Sequence, residues 1–212
     1  MNSIKLVIAS FTMCMLMACS LSGQQKGTKE VNIKGEKTRS VAAFAEGCFW
    51  CSEHIFEELA GVDSAVSGYA GGHTKNPTYE EVCRETTGHA ETVLVYYNPK
   101  VISYEQLLEA FFSSHDPTTL NRQGPDEGPS YRSAIFYANE EQEKLAIEAI
   151  KKWTPKFEMP IVTEVAPLKA FYRAEEYHQN YTTENPFDSY VRAVSLPRFD
   201  KFQRACKLKM KD

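Results

Sequence analysis

The sequence predicts one α+β domain, with a mixed central sheet and flanking helices. Three observations carry that expectation. Strand-like and helix-like stretches alternate, but too irregularly for a nucleotide-binding fold. No glycine motif that could cradle a phosphate is present. The 212 residues suffice for one hydrophobic core but not comfortably for two, and no internal repeat is evident.

Each element has a local reason. Val41 to Glu46 is a short apolar strand stopped by Gly47. From Cys51 to Leu59 the side chains of Ile55, Phe56 and Leu59 recur at helical spacing, with Gly61 placed to close that helix. Val62 to Tyr69 reads as a second strand, followed by a turn-rich loop at 71–77. Thr78 and Glu81 stand as a capping box, so Tyr79 falls in the first turn of a short helix. Ala90 to Tyr97 is the clearest strand and ends at Asn98-Pro99. Ser103 with Gln106 starts another helix, whose apolar face holds Leu107, Leu108, Phe111 and Phe112. The loop from Asp116 to Ser130 carries too much Gly and Pro to be regular. A strand from Tyr131 to Ala138, a helix capped by Asn139 and running to about Trp153, and a last strand from Ile161 to Val165 complete the pattern.

The N-terminus belongs to a different class. Leu6 to Ala18 is apolar but too short to span a membrane, and residues 1–18 fit a secretory signal peptide. The run ends in Leu16-Met17-Ala18-Cys19, which resembles a bacterial lipobox, so Cys19 is the expected lipidation site. Residues 19–39 are polar and rich in Gly and Lys, and read as a lipidated flexible tether ahead of a domain at 40–212. The expected location is the bacterial cell envelope, lipid-anchored in the periplasm. Ser20 favours the outer membrane, and the anchor is the expected membrane attachment. A net charge of -4, without a long basic run, gives no reason to expect a nucleic-acid partner.

Four of the six cysteines fall within the domain, at positions 48, 51, 83 and 206. Only Cys48 and Cys51 are a close pair, and none of the five histidines stands at metal-ligand spacing, so no metal is expected. Cys48 lies where a strand hands over to a helix. Backbone N–H groups and the helix dipole there favour a thiolate. Phe49 and Trp50 beside it could line an apolar cup.

Gly47-Cys48-Phe49-Trp50 resembles the active-site signature of the A-type peptide methionine sulfoxide reductases. Further matches follow in order: Gly-Tyr-Ala-Gly-Gly at 68–72, Asn76-Pro77-Thr78-Tyr79, Gly88-His89-Ala90-Glu91, Ser114-His115-Asp116-Pro117, Tyr131-Arg132-Ser133 and Glu175-Glu176-Tyr177-His178-Gln179. The resemblance spans about 43–186 and implies the ferredoxin-like core of that family. It implies that Cys48 attacks the sulfoxide sulfur and becomes a sulfenic acid, while Glu91 donates a proton to the oxygen. Tyr79 and Tyr131 match the phenols that bind that oxygen, Asp126 matches a supporting polar residue, and Phe49 and Trp50 match the substrate's methyl pocket. The substrate would be the S epimer, free or in proteins, with no cofactor, a thioredoxin-like reductant as electron donor, and a monomer sufficient.

The chain departs from the family at its tail. Many relatives carry resolving cysteines in a glycine-rich C-terminus, whereas this one is basic and holds only Cys206. Cys51 stands where many relatives have glycine, giving a C-x-x-C pair that can close as a disulfide. Cys51 or Cys206 is therefore the expected resolving residue, and Cys83 reads as structural. A thiol–disulfide oxidoreductase is the rival enzyme class, but its proline between the cysteines is missing here. A tethered binding protein with an aromatic pocket is the rival outside enzymes.

Overall fold

Side chains on a strand alternate between its two faces, and that alternation sorts the core. The computed structural model describes residues 27–31, 33 and 39–211. The expected signal and Cys19 lie outside the described residues. In β1 (Ser40–Glu46), Ala42 and Phe44 point to one apolar cluster, while Val41, Ala43 and Ala45 point to the other. In β3 (Ala90–Tyr97), Val93, Val95 and Tyr97 join the first cluster and Leu94 joins the second.

The remaining strands are β2 (Val62–Ala70), β6 (Ser133–Tyr137), β7 (Glu164–Pro167) and β8 (Phe171–Arg173), with a separate ribbon of β4 (Arg122–Gln123) and β5 (Asp126–Glu127). The six-stranded sheet runs β7-β6-β1-β3-β2-β8, antiparallel except for the parallel β6–β7 pair. It is the mixed sheet that the alternation of elements predicts. The first cluster is covered by α1 (Phe49–Glu57), α3 (Tyr104–Ser114), α4 (Glu140–Trp153) and α6 (Leu196–Ala205), with short α2 (Tyr79–Cys83) and α5 (Tyr181–Glu184) nearer the rim.

The caps appear where the sequence places them. Thr78 and Ser103 form complete capping boxes with Glu81 and Gln106, and the Asn139 side chain accepts from Gln142 N. The helix expected from Cys51 to Leu59 begins two residues sooner, with Cys48 itself at the N-cap position. Gly61 does not close it. The cap is Glu58, and Gly61 serves the turn into β2, where its φ of +96° suits glycine and a Cβ would come within 2.8 Å of Ile102. Tyr131 ends a 3-10 turn rather than starting a strand, and the last expected strand shifts to Glu164–Pro167. The loop at 116–130 is not wholly irregular, since it folds β4 back onto β5.

Part of the expected tether is docked. Glu30 bridges Tyr172 on the free edge of β8, Val31 N donates to the Phe171 carbonyl at 2.8 Å, and the buried Thr28 hydroxyl donates to the Pro77 carbonyl at 2.7 Å. An open sheet edge carries unpaired backbone groups, and this segment satisfies some of them. Composition alone could not show that partner. The sequence also predicts no elements after 165, although β8, α5 and α6 lie there.

Phe44 is fully buried at the centre of the first cluster, with ring centroids 5.0 Å from Phe56 and 5.3 Å from Phe111. Phe44→Ala is expected to cost about 3–5 kcal/mol, because a close-packed interior collapses only partly around the lost ring. Urea unfolding of the variant beside wild type measures it.

Candidate active site

The turn from β1 into α1 is made by Gly47, whose φ is +91° and where a Cβ would fall 2.5 Å from the Gln123 Cβ. It delivers Cys48 to the N-cap of α1. The first N–H groups of a helix have no partner within it, and here Phe49 N donates to Glu91 Oε2 at 3.0 Å. That single bond brings a carboxyl group from β3 to the start of α1, beside Cys48.

Glu91 is 2% exposed. Burial pushes its pKa up to about 8, against the lowering effect of the Phe49 N–H, so the group is a neutral acid at pH 7. The phenols of Tyr79 and Tyr131 are raised, first by burial and then by the Glu91 charge, and both stay protonated as donors. Tyr131 also feels Cys83, Asp126 and Cys48. Asp126 accepts from the Tyr190 hydroxyl at 2.5 Å, and Tyr190 in turn hydrogen-bonds the Cys48 thiol.

The aromatic side of the site is built around His178. Trp50 Nε1 donates to His178 Nδ1 at 3.1 Å, which leaves the imidazole neutral, in accord with a pKa lowered by burial to about 4. The His178 ring lies 5.0 Å from Phe49 and 4.4 Å from Tyr79. Tyr181 stacks on Trp50 at 3.8 Å. Phe49 is fully buried and Trp50 only partly, so Trp50 offers the more open apolar surface. Glu175 steadies the frame, accepting from Tyr69 Oη at 2.9 Å and from Tyr79 N at 3.0 Å.

The thiol pair departs from expectation. A thiol at a helix start is expected to ionise easily, yet burial pushes Cys48 well up, and the hydrogen bond and charge of Cys51 push it further. Cys51 moves the other way, to about 6, chiefly through its bond with Cys48 and then through Arg198 and Ser195. The helix dipole loses to full burial at Cys48. The two thiols titrate as a pair, with Cys48 pushed up and Cys51 pushed down.

Thus Cys48, Cys51, Glu91, Tyr79, Tyr131, Asp126, Phe49 and Trp50 are brought into one neighbourhood. Cys206 is not. It is buried at the end of α6, where its thiol meets the Leu208 backbone and the charge of Glu109. Cys83 is exposed and hydrogen-bonds the Tyr79 phenol, so it stands at the rim rather than in the core. Sequence reasoning misses Tyr190, Tyr181, Ser195 and Arg198, which come from the C-terminal segment; the helical spacing of Leu196, Phe199 and Phe202 could have placed α6 but not these side chains. Among the described residues no group of three His, Cys, Asp or Glu side chains could hold a metal ion, and no helix is long and apolar enough to cross a membrane.

A buried cysteine pair beside a protonated carboxyl group and two phenols defines a thiol-dependent oxidoreductase site. The peptide methionine sulfoxide reductase family model matches residues 40–210, and the chain belongs to that family. It is 49% identical over 174 residues to the peptide methionine sulfoxide reductase MsrA 1 of Rhodopirellula baltica, covering 82% of this chain and 91% of that one. It is 54% identical over 160 residues to the MsrA of Pasteurella multocida, covering 76% and 92%. Among solved structures, the reduced form of Mxr1 from Saccharomyces cerevisiae is similar with a TM-score of 0.70 at 34% identity, over 85% of this chain and 97% of that one. Mxr1 in complex with Trx2 is similar with a TM-score of 0.52 at 31% identity, over 71% and 90%.

Glu53, buried on α1, ties the loop that carries His178 and Tyr181 to β2, accepting from Asn180 N at 2.9 Å and from Ser67 N of β2 at 3.4 Å. Burial raises its pKa from 4.5 to about 7. Between those values the folded protein keeps a proton that the unfolded chain has released, so this group's contribution to stability falls as pH rises. Glu53→Gln keeps an acceptor oxygen without the charge. Its stability relative to wild type is expected to improve from about pH 5 to about pH 8; a constant difference in urea midpoint across that range counts against the assignment.

Proposed function

We propose that the chain reduces methionine S-sulfoxide, free or within proteins, through Cys48, with Cys51 as the resolving residue. The observation that carries this reading is the Glu91 carboxyl group, positioned in the Cys48 site by the Phe49 N–H and kept protonated by burial. A sulfoxide oxygen is a poor leaving group until it is protonated, so a thiol, an acid and donors on that oxygen must converge.

The steps balance. Cys48 sulfur attacks the sulfoxide sulfur as its proton passes to the Cys51 thiolate, and Glu91 protonates the oxygen, with Tyr79 and Tyr131 donating hydrogen bonds to it. The oxygen transfers to Cys48 as a sulfenic acid and methionine departs. Cys51 sulfur then attacks Cys48; the S–O bond breaks, and the hydroxide leaves as water with the Cys51 proton. A thioredoxin-like donor supplies two electrons to the disulfide. The likeness to Mxr1 bound to Trx2 supports that donor class. Cys51 is preferred over Cys206 because it hydrogen-bonds Cys48, whereas Cys206 faces Leu208 and Glu109. Asp126 acts through Tyr190, and Trp50 with Phe49 receives the substrate's methyl group.

The proposal includes a lipid-anchored form in the bacterial envelope, supported by the Leu16-Met17-Ala18-Cys19 pattern, and a monomer as the working unit.

Cys48→Ser is expected to abolish consumption of the S sulfoxide of a methionine sulfoxide peptide, with the R epimer untouched by wild type. Consumption of both epimers, or turnover without Cys48, ends this assignment. Cys51→Ser is expected to release one equivalent of methionine and then stall with a thioredoxin donor. In wild type, kcat/KM is expected to fall as pH rises through about 8, where Glu91 loses its proton. Glu91→Gln, which cannot give up a proton, is expected to lose about 10²–10⁴-fold in kcat/KM. An alkaline limb that persists unmoved in the residual activity of Glu91→Gln assigns it to another group.

A further inference from the structure

The C-terminal segment makes a contact with the thiol pair that sulfoxide reduction at Cys48 does not use. Residues Val191–Ser195 form a π turn that leads directly into α6. Such turns displace side chains relative to a regular helix and gather at functional sites. This one sets the Ser195 hydroxyl 3.2 Å from Cys51 Sγ, in a position only 1% exposed. Cys51 is the hydroxyl's one side-chain partner among the described residues.

Three residues further on, Arg198 enters the same interior. Its Nη2 donates to Glu46 Oε1 at 2.7 Å and its Nε to the Ser114 carbonyl at 2.9 Å. Its Nη1 lies 3.8 Å from where a Cβ on Gly47 would be, at the turn that carries Cys48. Glu46 is also held by Ser114 Oγ at 2.6 Å. His115 approaches Glu46 at 3.6 Å but is neutral. Its Nδ1–H donates to the Phe111 carbonyl at 2.8 Å and its pKa is lowered by burial to about 3, so Arg198 is the countercharge here. The surroundings of Cys48 are of the opposite kind, with a neutral acid, phenols and aromatic rings.

We propose that Ser195 and Arg198 form a thiolate site for Cys51, so that Cys51 carries the standing charge of the reduced enzyme and is the leaving group when a donor dithiol attacks Cys48. The proposal rests on the reading of Cys51 as the resolving residue. Ser195 touches the reacting sulfur; Arg198 is a positioning residue that acts through its charge.

A donor thiolate attacks Cys48 Sγ, forming a mixed disulfide, and the Cys48–Cys51 bond breaks with its electron pair on Cys51. There the Ser195 O–H donates to the new thiolate, and the Arg198 charge balances it. The second donor thiol then attacks the donor sulfur of the mixed disulfide. Cys48 is released and takes up a proton, and the donor leaves as a disulfide, two electrons poorer. The lower the pKa of the departing thiol, the faster it leaves. The Ser195 hydroxyl, 3.2 Å from Cys51 Sγ, therefore favours departure of Cys51 and attack at Cys48.

The test is the ultraviolet absorbance of thiolate, titrated with pH in the reduced full-length protein, beside the rate of disulfide reduction by a thioredoxin. In Cys48→Ser, whose serine hydroxyl still offers Cys51 a donor, a thiolate is expected to persist at neutral pH, and Cys51→Ser is expected to lose it. Adding Ser195→Ala to Cys48→Ser is expected to raise that titration by about one to two pH units, as losing one charge-assisted hydrogen bond does. Ser195→Thr, which restores the hydroxyl, is expected to bring it back. In the otherwise unaltered enzyme, Ser195→Ala is expected to slow disulfide reduction about tenfold. The double change Glu46→Gln with Arg198→Met removes both charges together, leaving neither buried alone, and is expected to raise the Cys51 titration as well. A neutral-pH thiolate that disappears with Cys48→Ser instead, or a titration and donor rate indifferent to Ser195→Ala, overturns the proposal. Unchanged donor-driven cycling in Cys51→Ser overturns the resolving role and the leaving-group step together. It is told apart from failure of the thiolate site because the titration needs no turnover.

Discussion

The hydrogen bond from Phe49 N to Glu91 Oε2 is the contact on which the site depends. It ties the centre of the sheet to the first turn of α1, it satisfies a helix N–H that has no other partner in the helix, and it holds an acid beside a thiol. Two effects compete at that carboxyl group. The backbone N–H favours the carboxylate, while enclosure without a cation favours the acid, and enclosure wins. A cation brought to this position would reverse the balance and remove the proton on which protonation of a sulfoxide oxygen depends.

A second buried carboxyl group has a cation beside it, and burial raises its pKa as well, to about 7. Glu46 ends β1 and is fully buried, but it receives Arg198 from α6 and Ser114 from α3. Taking an ion pair out of water is costly, and such pairs contribute little to stability for their own sake. This one joins the last helix to the strand that carries the Gly47–Cys48 turn, and it leaves positive charge near Cys51. The protein thereby sets a carboxyl group without a cation on one side of its thiol pair and the Arg198 guanidinium on the other. Both arrangements require the dry interior that Phe44, Phe111 and Phe202 provide.

Much of the fold is legible along the chain because its causes are local. Capping boxes at Thr78 and Ser103, the Asn139 cap and the alternation in β1 and β3 are short-range patterns, and the structure repeats them. Where causes are long-range, the reading fails. The polar segment around Thr28 looks like a tether until the open edge of β8 gives it a partner. Tyr131 looks like a strand residue, but Glu85 binds Ser130 through both its N–H and its hydroxyl and holds a 3-10 turn there instead. The C-terminal segment reads as a basic tail, although Leu196, Phe199 and Phe202 recur at helical spacing in α6, which packs on α1 and α3.

The residues of the site divide along the same line. The sequence by itself determined the elements with local signals and the ordered motifs that single out Cys48, Glu91, Tyr79 and Tyr131, since motif order is a property of the chain. Only the tertiary structure decided the opposite shifts of the two thiols, that Cys51 and not Cys206 lies beside Cys48, and that Tyr190, Ser195 and Arg198 stand around them. Ionisation in an interior depends on burial and on charges brought from distant parts of the chain. Neither quantity exists until the chain has folded.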